Sequence, residues 1–366
     1  MSVNENDAAR GPLSGLRIVE IDAIGPVPLL GVLLADFGAD IVRIVRPNSA
    51  WSDEELGAAI LHRSRRNVKI DLKTKEGQVE ALDLIAKADG LIEGSRPGVM
   101  ERLNLGPDEC LARNPRLVYG RMTGWGQTGP RALQAGHDIN YLALSGALGM
   151  IGPRERPVPP LNLITDYGGG SMFLAFGMMA ALFEARASGK GQVVDAAMVD
   201  GTVFLLSLYH FYAQSGQWSG QREDNLLDGG APYYRCYLCA DGSFIAVGAL
   251  EPQFYSLFMT GIGLDPSAFS QQDRANWPAM QEAIAAKILT RTRDEWAALF
   301  QHSDACVTPV LSLEEARQDP HHVARGTYFQ ADGYWQASPA PRLDRTPAHP
   351  RSRSTTTVSD VLAEWG

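Results

Sequence analysis

The chain has 366 residues, 45% hydrophobic and 20% charged, with a formal net charge of −9. That is material for one large domain or two ordinary ones around a real core. The acidic balance excludes a general nucleic-acid binder, which needs a basic face, and leaves room only for a local basic patch.

Residues 1–12 read as a loose polar tail with no signal-peptide pattern. GLRIVEI then reads as a buried strand, PLLGVLLADFG as a helix closing at Gly38, and ADIVRIV as a second strand. A strand–helix–strand unit with about ten helical residues implies a parallel sheet. The pattern repeats in VKIDL, in the amphipathic EGQVEALDLIAKADG closed by Gly90, and in LIEG and PRLVYGRM. The fold class is therefore α/β, with a large Rossmann-like, doubly wound first domain. LNLIT reads as an apolar strand followed by Asp166, Gly168 to about Ala187 as an apolar helix, and GKGQVVDAAMVDGTVFLLSLYHFY as a strand and one long helix. No apolar stretch approaches the roughly 18–20 residues of a membrane span. Beyond Gln217, QWSGQREDNLLDGGAP suits a linker, and YYRCYLCADGSFIAVGA a hairpin turning at Asp241–Gly242. Helices follow to about residue 320, then a Pro-rich stretch and a short final helix, SDVLAEWG. The expected domains are a large α/β domain over 1–225, a smaller α+β domain over 226–330, and a segment over 331–366 that returns to the first.

Little points to a cofactor. There is no G-x-G-x-x-G after the first strand and no phosphate-binding G-x-x-x-x-G-K-S/T. GPVP at the first strand–helix turn has two prolines, which donate no backbone N–H. GGGS at 168–171 reads as a helix packed closely against a strand. Four cysteines, Cys110, Cys236, Cys239 and Cys306, form no disulfide framework and suit a reducing, cytoplasmic setting. The C-x-x-C pair would point to opposite faces of a strand, and metal sites need about four ligands.

Of the seven histidines, His62, His302, His321, His322 and His349 read as solvated, and His210 as packing. His137 differs. In QAGHDINY it stands between the Gly/Pro-rich TGWGQTGPR and an apolar helical run starting near Tyr141. A helix start leaves free N–H groups and a positive dipole end, suited to a developing oxyanion. Asp166 is either a carboxylate on the ligand side of an open sheet or a helix N-cap, and the residues alone leave both open. Glu251, in GALEPQFY, is a helix-terminal acid by position. Arg43, Arg46, the run His62-Arg63-Ser64-Arg65-Arg66, Arg96 and Arg102 form a basic scatter that suits a phosphate-rich ligand, although each alone reads as solvated loop charge.

Taken together, GPLSGLRIVEI, LADFGADIVRI, LIEGSRPGVMERLNLGP, RMTGWGQTGPR, AGHDINY, GKGQVVDAAMVDG and GALEPQFY resemble the alpha-methylacyl-CoA racemases of the family III CoA-transferase (CaiB/BaiF) superfamily, from about residue 11 onward. The resemblance implies racemisation of 2-methylacyl-CoA thioesters in lipid and fatty-acid metabolism. His137 and Asp166 match the two catalytic bases, and Glu251 an acid that orients the histidine. Arg46, the segment Ile70, Asp71, Leu72 and Lys73, the segment Gly94, Ser95 and Arg96, Arg102, and the segment Gly136, Asp138, Ile139, Asn140 and Tyr141 match stretches that bind acyl-CoA. It further implies an interlocked homodimer with the active site between the large domain of one chain and the small domain of the other. No metal or organic cofactor is implied, coenzyme A being part of the substrate, and no nucleic acid or membrane. The competing expectation within the superfamily is a formyl-CoA-type CoA-transferase with Asp166 as nucleophile. The chain departs from the pattern at Ser95, where close racemases have Tyr, at Val27, where they have Gly, and in the loops at Asp22 and Ala50–Asp53; these bear on the acyl pocket.

Overall fold

A computed structural model describes residues 11–47 and 57–366; the expected differences at Ala50–Asp53 and most of the N-terminal tail lie outside them. Six strands come from the first two hundred residues: β1 (Arg17–Ile21), β2 (Asp40–Val45), β3 (Arg66–Lys69), β4 (Gly90–Glu93), β5 (Val118–Thr123) and β6 (Gln192–Ala197). Later come β7 (Tyr234–Leu238), β8 (Phe244–Gly248), β9 (Val307–Pro309), β10 (Tyr328–Ala331), β11 (Tyr334–Ala337) and β12 (Ser354–Thr355). The large sheet runs β12-β3-β2-β1-β4-β5-β6, and every pairing in it is parallel. Such strands are covered on both faces, so their sequences are largely apolar. Ile18 of β1 faces a core with Leu30, Ile92, Leu174 and Met178. Its neighbour Val19 faces the opposite core, with Leu84, Leu91, Tyr119 and Trp365.

Two compact units are present. The first comprises the described residues up to Ser145, Pro160–Leu205 and Ala324–Gly366; the second comprises Gly146–Pro159 and Leu206–Val323. These limits differ from the expected breaks after 225 and 330. The stretch read as a linker is a packed loop: Asn225 is buried and accepts from the Ser219 N–H at 2.8 Å. Arg222 donates to the carbonyls of Gly149 and Pro153 at 3.1 and 2.9 Å, sewing the loop to the distant segment 146–159. Composition carries no trace of such long-range bonds.

In the second unit, β7, β8 and β9 form an antiparallel sheet over a core that includes Tyr233, Phe258, Trp277 and Trp296. The hairpin turns where expected, with the Cys239 N–H donating to the Ser243 carbonyl at 2.8 Å. Cys236 is exposed and Cys239 buried, both as free thiols. Residues 324–366 lie in the first unit, where Trp365 is buried and its indole N–H donates to Asp40 at 2.8 Å.

Several local expectations fail. LNLIT is not a strand: Leu163–Met172 is wound as a π-helix and continues into the α-helix Phe173–Ser188. Short apolar runs do not distinguish strand from helix by periodicity. The resulting 26-residue helix is long and apolar enough to cross a membrane, contrary to the reading that no stretch approaches that length. One face, with Leu174, Met178 and Ala185, belongs to the core. The expected long helix after β6 is two, Met198–Leu205 and Ser207–Gln214. The last has no buried residue, so His210 is exposed rather than packed, whereas His62, read as solvated, is buried.

The glycine triplet packs mainly on a helix, not on a strand. A Cβ at Gly201, in Met198–Leu205, would overlap the carbonyl of Gly169. Gly201→Ala should therefore force two backbones apart, costing about 1–3 kcal/mol or more. A melting temperature lowered by several degrees in calorimetry checks this.

Candidate active site

The strand order reverses at β1. The chain winds outward through β2 and β3 on one side and through β4, β5 and β6 on the other. In open parallel sheets the crevice at that reversal, beyond the carboxyl ends of the strands, is the ligand site. Arg46 follows β2, Ile70–Lys73 follows β3, Gly94–Arg96 follows β4, and Gly124 follows β5. The expected binding segments thus line one edge of one sheet, although they are scattered in sequence.

The basic scatter divides in two. Arg65 is fully buried and binds both carboxylate oxygens of Glu20, at 2.7 and 2.6 Å. Arg43 pairs with Asp22 at 2.5 Å, Arg63 with Asp36 at 2.7 Å, and Arg66 with Asp40 at 2.6 Å. These four guanidiniums belong to the scaffold rather than to a ligand's phosphates. His62 lies among them, its pKa pushed down to about 3 by burial and by Arg43 and Arg65. Arg46, Arg96 and Arg102 are exposed. Within 70–73, Ile70 belongs to the core and only Asp71 and Lys73 are exposed; the Lys73 N–H donates to Asp71 at 3.0 Å. Val27 is buried, and a Cβ on Gly94 would stand 2.9 Å from it, so the residue backs the loop after β4.

Glu93, the last residue of β4, was not singled out from the sequence. Its side chain is fully buried, accepts from the Ser95 N–H at 2.6 Å and pairs with Arg121 at 3.1 Å. Burial, against those two partners, pushes its pKa up to about 7. An acid closing an otherwise apolar strand was the available signal. Its hydrogen bond fixes the loop carrying Ser95 and Arg96.

His137 is exposed and immediately precedes the helix Asp138–Leu144, its own N–H donating to Asn140 Oδ1 at 3.0 Å. Ile139 is exposed, whereas Tyr141 is buried, edge-on to Trp125 with centroids 4.6 Å apart. The Tyr141 hydroxyl donates to the Gly136 carbonyl. A Cβ on Gly124 or Gly136 would collide with the Tyr141 ring, which explains the small residues flanking the motif.

Asp166 lies in the first turn of the π-helical segment, so neither the strand end nor the N-cap describes it. The N-cap is Asn162, whose amide instead donates to Asp166 Oδ2 at 3.2 Å. The turn after β1 comes close: a Cβ on Gly25 would be 3.6 Å from the same oxygen. Burial holds the Asp166 carboxyl above the ordinary range; the Asn162 bond opposes this, Asp138 adds to it, and His137 is near enough to favour the charged form. Tyr141 is also within electrostatic reach of Asp166 and Arg96. His137 and Asp166 are thus neighbours in space, joined through Asp138, whose carboxylate accepts from the Asp166 N–H at 2.8 Å. Glu251 belongs to the second unit, exposed ahead of the helix Pro252–Gly261 with its charge beside Cys306. Among the described residues, no cluster of three or more His, Cys, Asp or Glu has metal-site geometry.

The family model for CoA-transferase family III matches residues 13–355. The chain is 45% identical over 362 residues to the alpha-methylacyl-CoA racemase of Mus musculus, covering 97% of this chain and 93% of that one. It is 42% identical over 361 residues to the alpha-methylacyl-CoA racemase of Homo sapiens, with the same coverage. The crystal structure of a CaiB/BaiF family protein from Brucella suis matches with a TM-score of 0.83 at 23% identity, covering 98% of this chain and all of that one, a likeness of fold. On a match spanning nearly its whole length, and on the same α/β architecture, the chain belongs to CoA-transferase family III.

Proposed function

We propose that the chain is an isomerase that interconverts the (R) and (S) forms of 2-methylacyl-CoA thioesters by carrying a proton from one face of the α-carbon to the other. The convergence of His137 and Asp166 at the switch point of the sheet carries this reading, supported by the similarity to the two racemases. A thioester α-proton is weakly acidic, so each face of the carbon needs a base. One of the pair removes the proton to give an enolate, and the conjugate acid of the other returns a proton opposite. A backbone N–H near Asp138 holds the enolate oxygen. Glu251 orients His137, contributed from the second unit of a partner in an interlocked homodimer. Exposed apolar side chains support such a dimer: Phe176 and Phe183, seven residues apart on the Leu163–Ser188 helix, are 75% and 80% exposed.

Coenzyme A lies along the strand ends, held by Arg46, Asp71, Lys73, the Gly94–Arg96 loop and Arg102. The two bases supply both proton carriers, so the reaction needs no metal or organic cofactor. The enzyme works in the cytoplasm on a dissolved thioester of fatty-acid metabolism, not on nucleic acid or a membrane.

The test is incubation of a 2-methylacyl-CoA in deuterated water with no second acid. The α-hydrogen should exchange and the epimers interconvert. Transfer of CoA to an added carboxylate without exchange would instead establish the formyl-CoA-type transferase, with Asp166 as nucleophile.

A further inference from the structure

We propose that the side chain of Asp138 is the positioning group that fixes the separation of the two bases. The inference rests on the reading of His137 and Asp166 as those bases. Asp138 directly follows His137, and its Oδ2 accepts from the backbone N–H groups of Thr165 and Asp166, at 3.1 and 2.8 Å. One short side chain therefore ties the segment bearing one base to the segment bearing the other.

Three observations distinguish this from ordinary helix capping. The first turn of any helix leaves N–H groups without partners, and a residue just ahead of it normally takes one. Here that residue, Asn162, makes no side-chain cap bond, and its amide nitrogen donates instead to the Asp166 carboxylate. The cap comes from 27 and 28 positions away. The clamp is also shielded: Asp138 is only 8% exposed, so its charge-assisted bonds escape competition from water. Finally, the other end of the clamp is fixed, since the His137 N–H is held by Asn140. Asn162 touches the carboxylate that exchanges the proton, whereas Asp138 touches only backbone there. The Asp138 side chain decides where Asp166 stands through the backbone it holds, and its charge favours the protonated form of Asp166.

The experiment uses the full chain and measures, in deuterated water, both interconversion and α-hydrogen exchange from each epimer separately. The epimer that still exchanges with Asp166→Ala serves as the reference, because His137 serves it alone. In Asp138→Ala, displacement of Asp166 should lower kcat for interconversion about 100-fold with KM changed less than about threefold. Exchange from the reference epimer should fall less than about fivefold, while exchange from the other epimer falls with interconversion. Asp138→Asn retains an acceptor oxygen and should recover about tenfold or more of the loss. If Asp138→Ala does not fold, Asp138→Ser, which also lacks the reach, carries the same comparison. An equal loss of exchange from both epimers, or undiminished interconversion in a folded variant, overturns the proposal. Absence of exchange in the unsubstituted enzyme would instead overturn the two-base reading, so the two failures are separable.

Discussion

Asp166→Asn should lower interconversion of the epimers by about 10²–10⁴-fold, the usual worth of a positioned general acid or base. It should spare α-hydrogen exchange from the epimer whose hydrogen faces His137. His137→Ala should give the mirror result, and the double variant should lose both exchanges. The pH profile follows from the same pair. One direction needs Asp166 as carboxylate and His137 protonated; the other needs Asp166 protonated and His137 neutral. Both working states hold a single proton between the two groups, so both directions share one bell-shaped profile. Its acid limb reports loss of that state when both groups are protonated. Burial raises the Asp166 pKa, so the limb should lie above the ordinary carboxylate value of about 3.9. Initial rates from each epimer, followed by chiral separation, check both statements. Exchange that survives unchanged in both single variants for both epimers would end the assignment.

Arg65→Met should destabilise the first unit by about 3–5 kcal/mol, because it strands the Glu20 carboxylate in the core. Neither side chain of the pair has any exposure, and the second guanidinium nitrogen donates to the Pro28 carbonyl at 3.1 Å. Another cation near Glu20, Arg43, stands 3.6 Å away and is already engaged with Asp22. The expected fall in melting temperature is of the order of 10 °C. Removing the stranded charge as well, in Arg65→Met with Glu20→Leu, should recover much of it, since apolar residues of similar volume often replace a buried pair without loss. A calorimetric scan of the three proteins decides this. An unchanged Arg65→Met would mean that water or Arg43 solvates Glu20. The role matters for the site because Glu20 and Asp22 lead into the turn that passes beside Asp166.

How far the sequence reaches depends on whether the deciding interaction is local. The β1, β2 and β4 strands are legible because burial on both faces leaves mostly apolar runs, and the Asp241–Gly242 hairpin because turn chemistry is local. The Leu163–Ser188 helix is misread at its start, where the deciding partners are Asp138 and Gly201. The arginines show the limit most sharply. Arg43, Arg46, Arg63, Arg65 and Arg66 are equivalent as letters, yet four are paired within the scaffold and Arg46 alone is exposed. The carboxylate that each side chain meets in the folded chain separates them. Glu93 is the converse case. A charge closing an apolar strand was visible, but its meaning depends on Arg121 from the next strand. Of the expected catalytic residues, His137 and Asp166 are brought together by the fold of the first unit, while Glu251 sits in the second.

The return of residues 324–366 to the first unit has a consequence for synthesis. The first unit is begun first on the ribosome, yet the outer edge of β3 is capped only when β12 arrives, and Val361 and Trp365 complete one of its cores later still. Arg66, at that edge, waits for Glu364, paired at 2.6 Å. The second unit, made in between, has its own core and is finished earlier. A nascent chain therefore carries an uncovered parallel strand edge through the making of some 280 residues between β3 and β12, the kind of exposed edge that invites mispairing. The unit that opens the chain is the last to close.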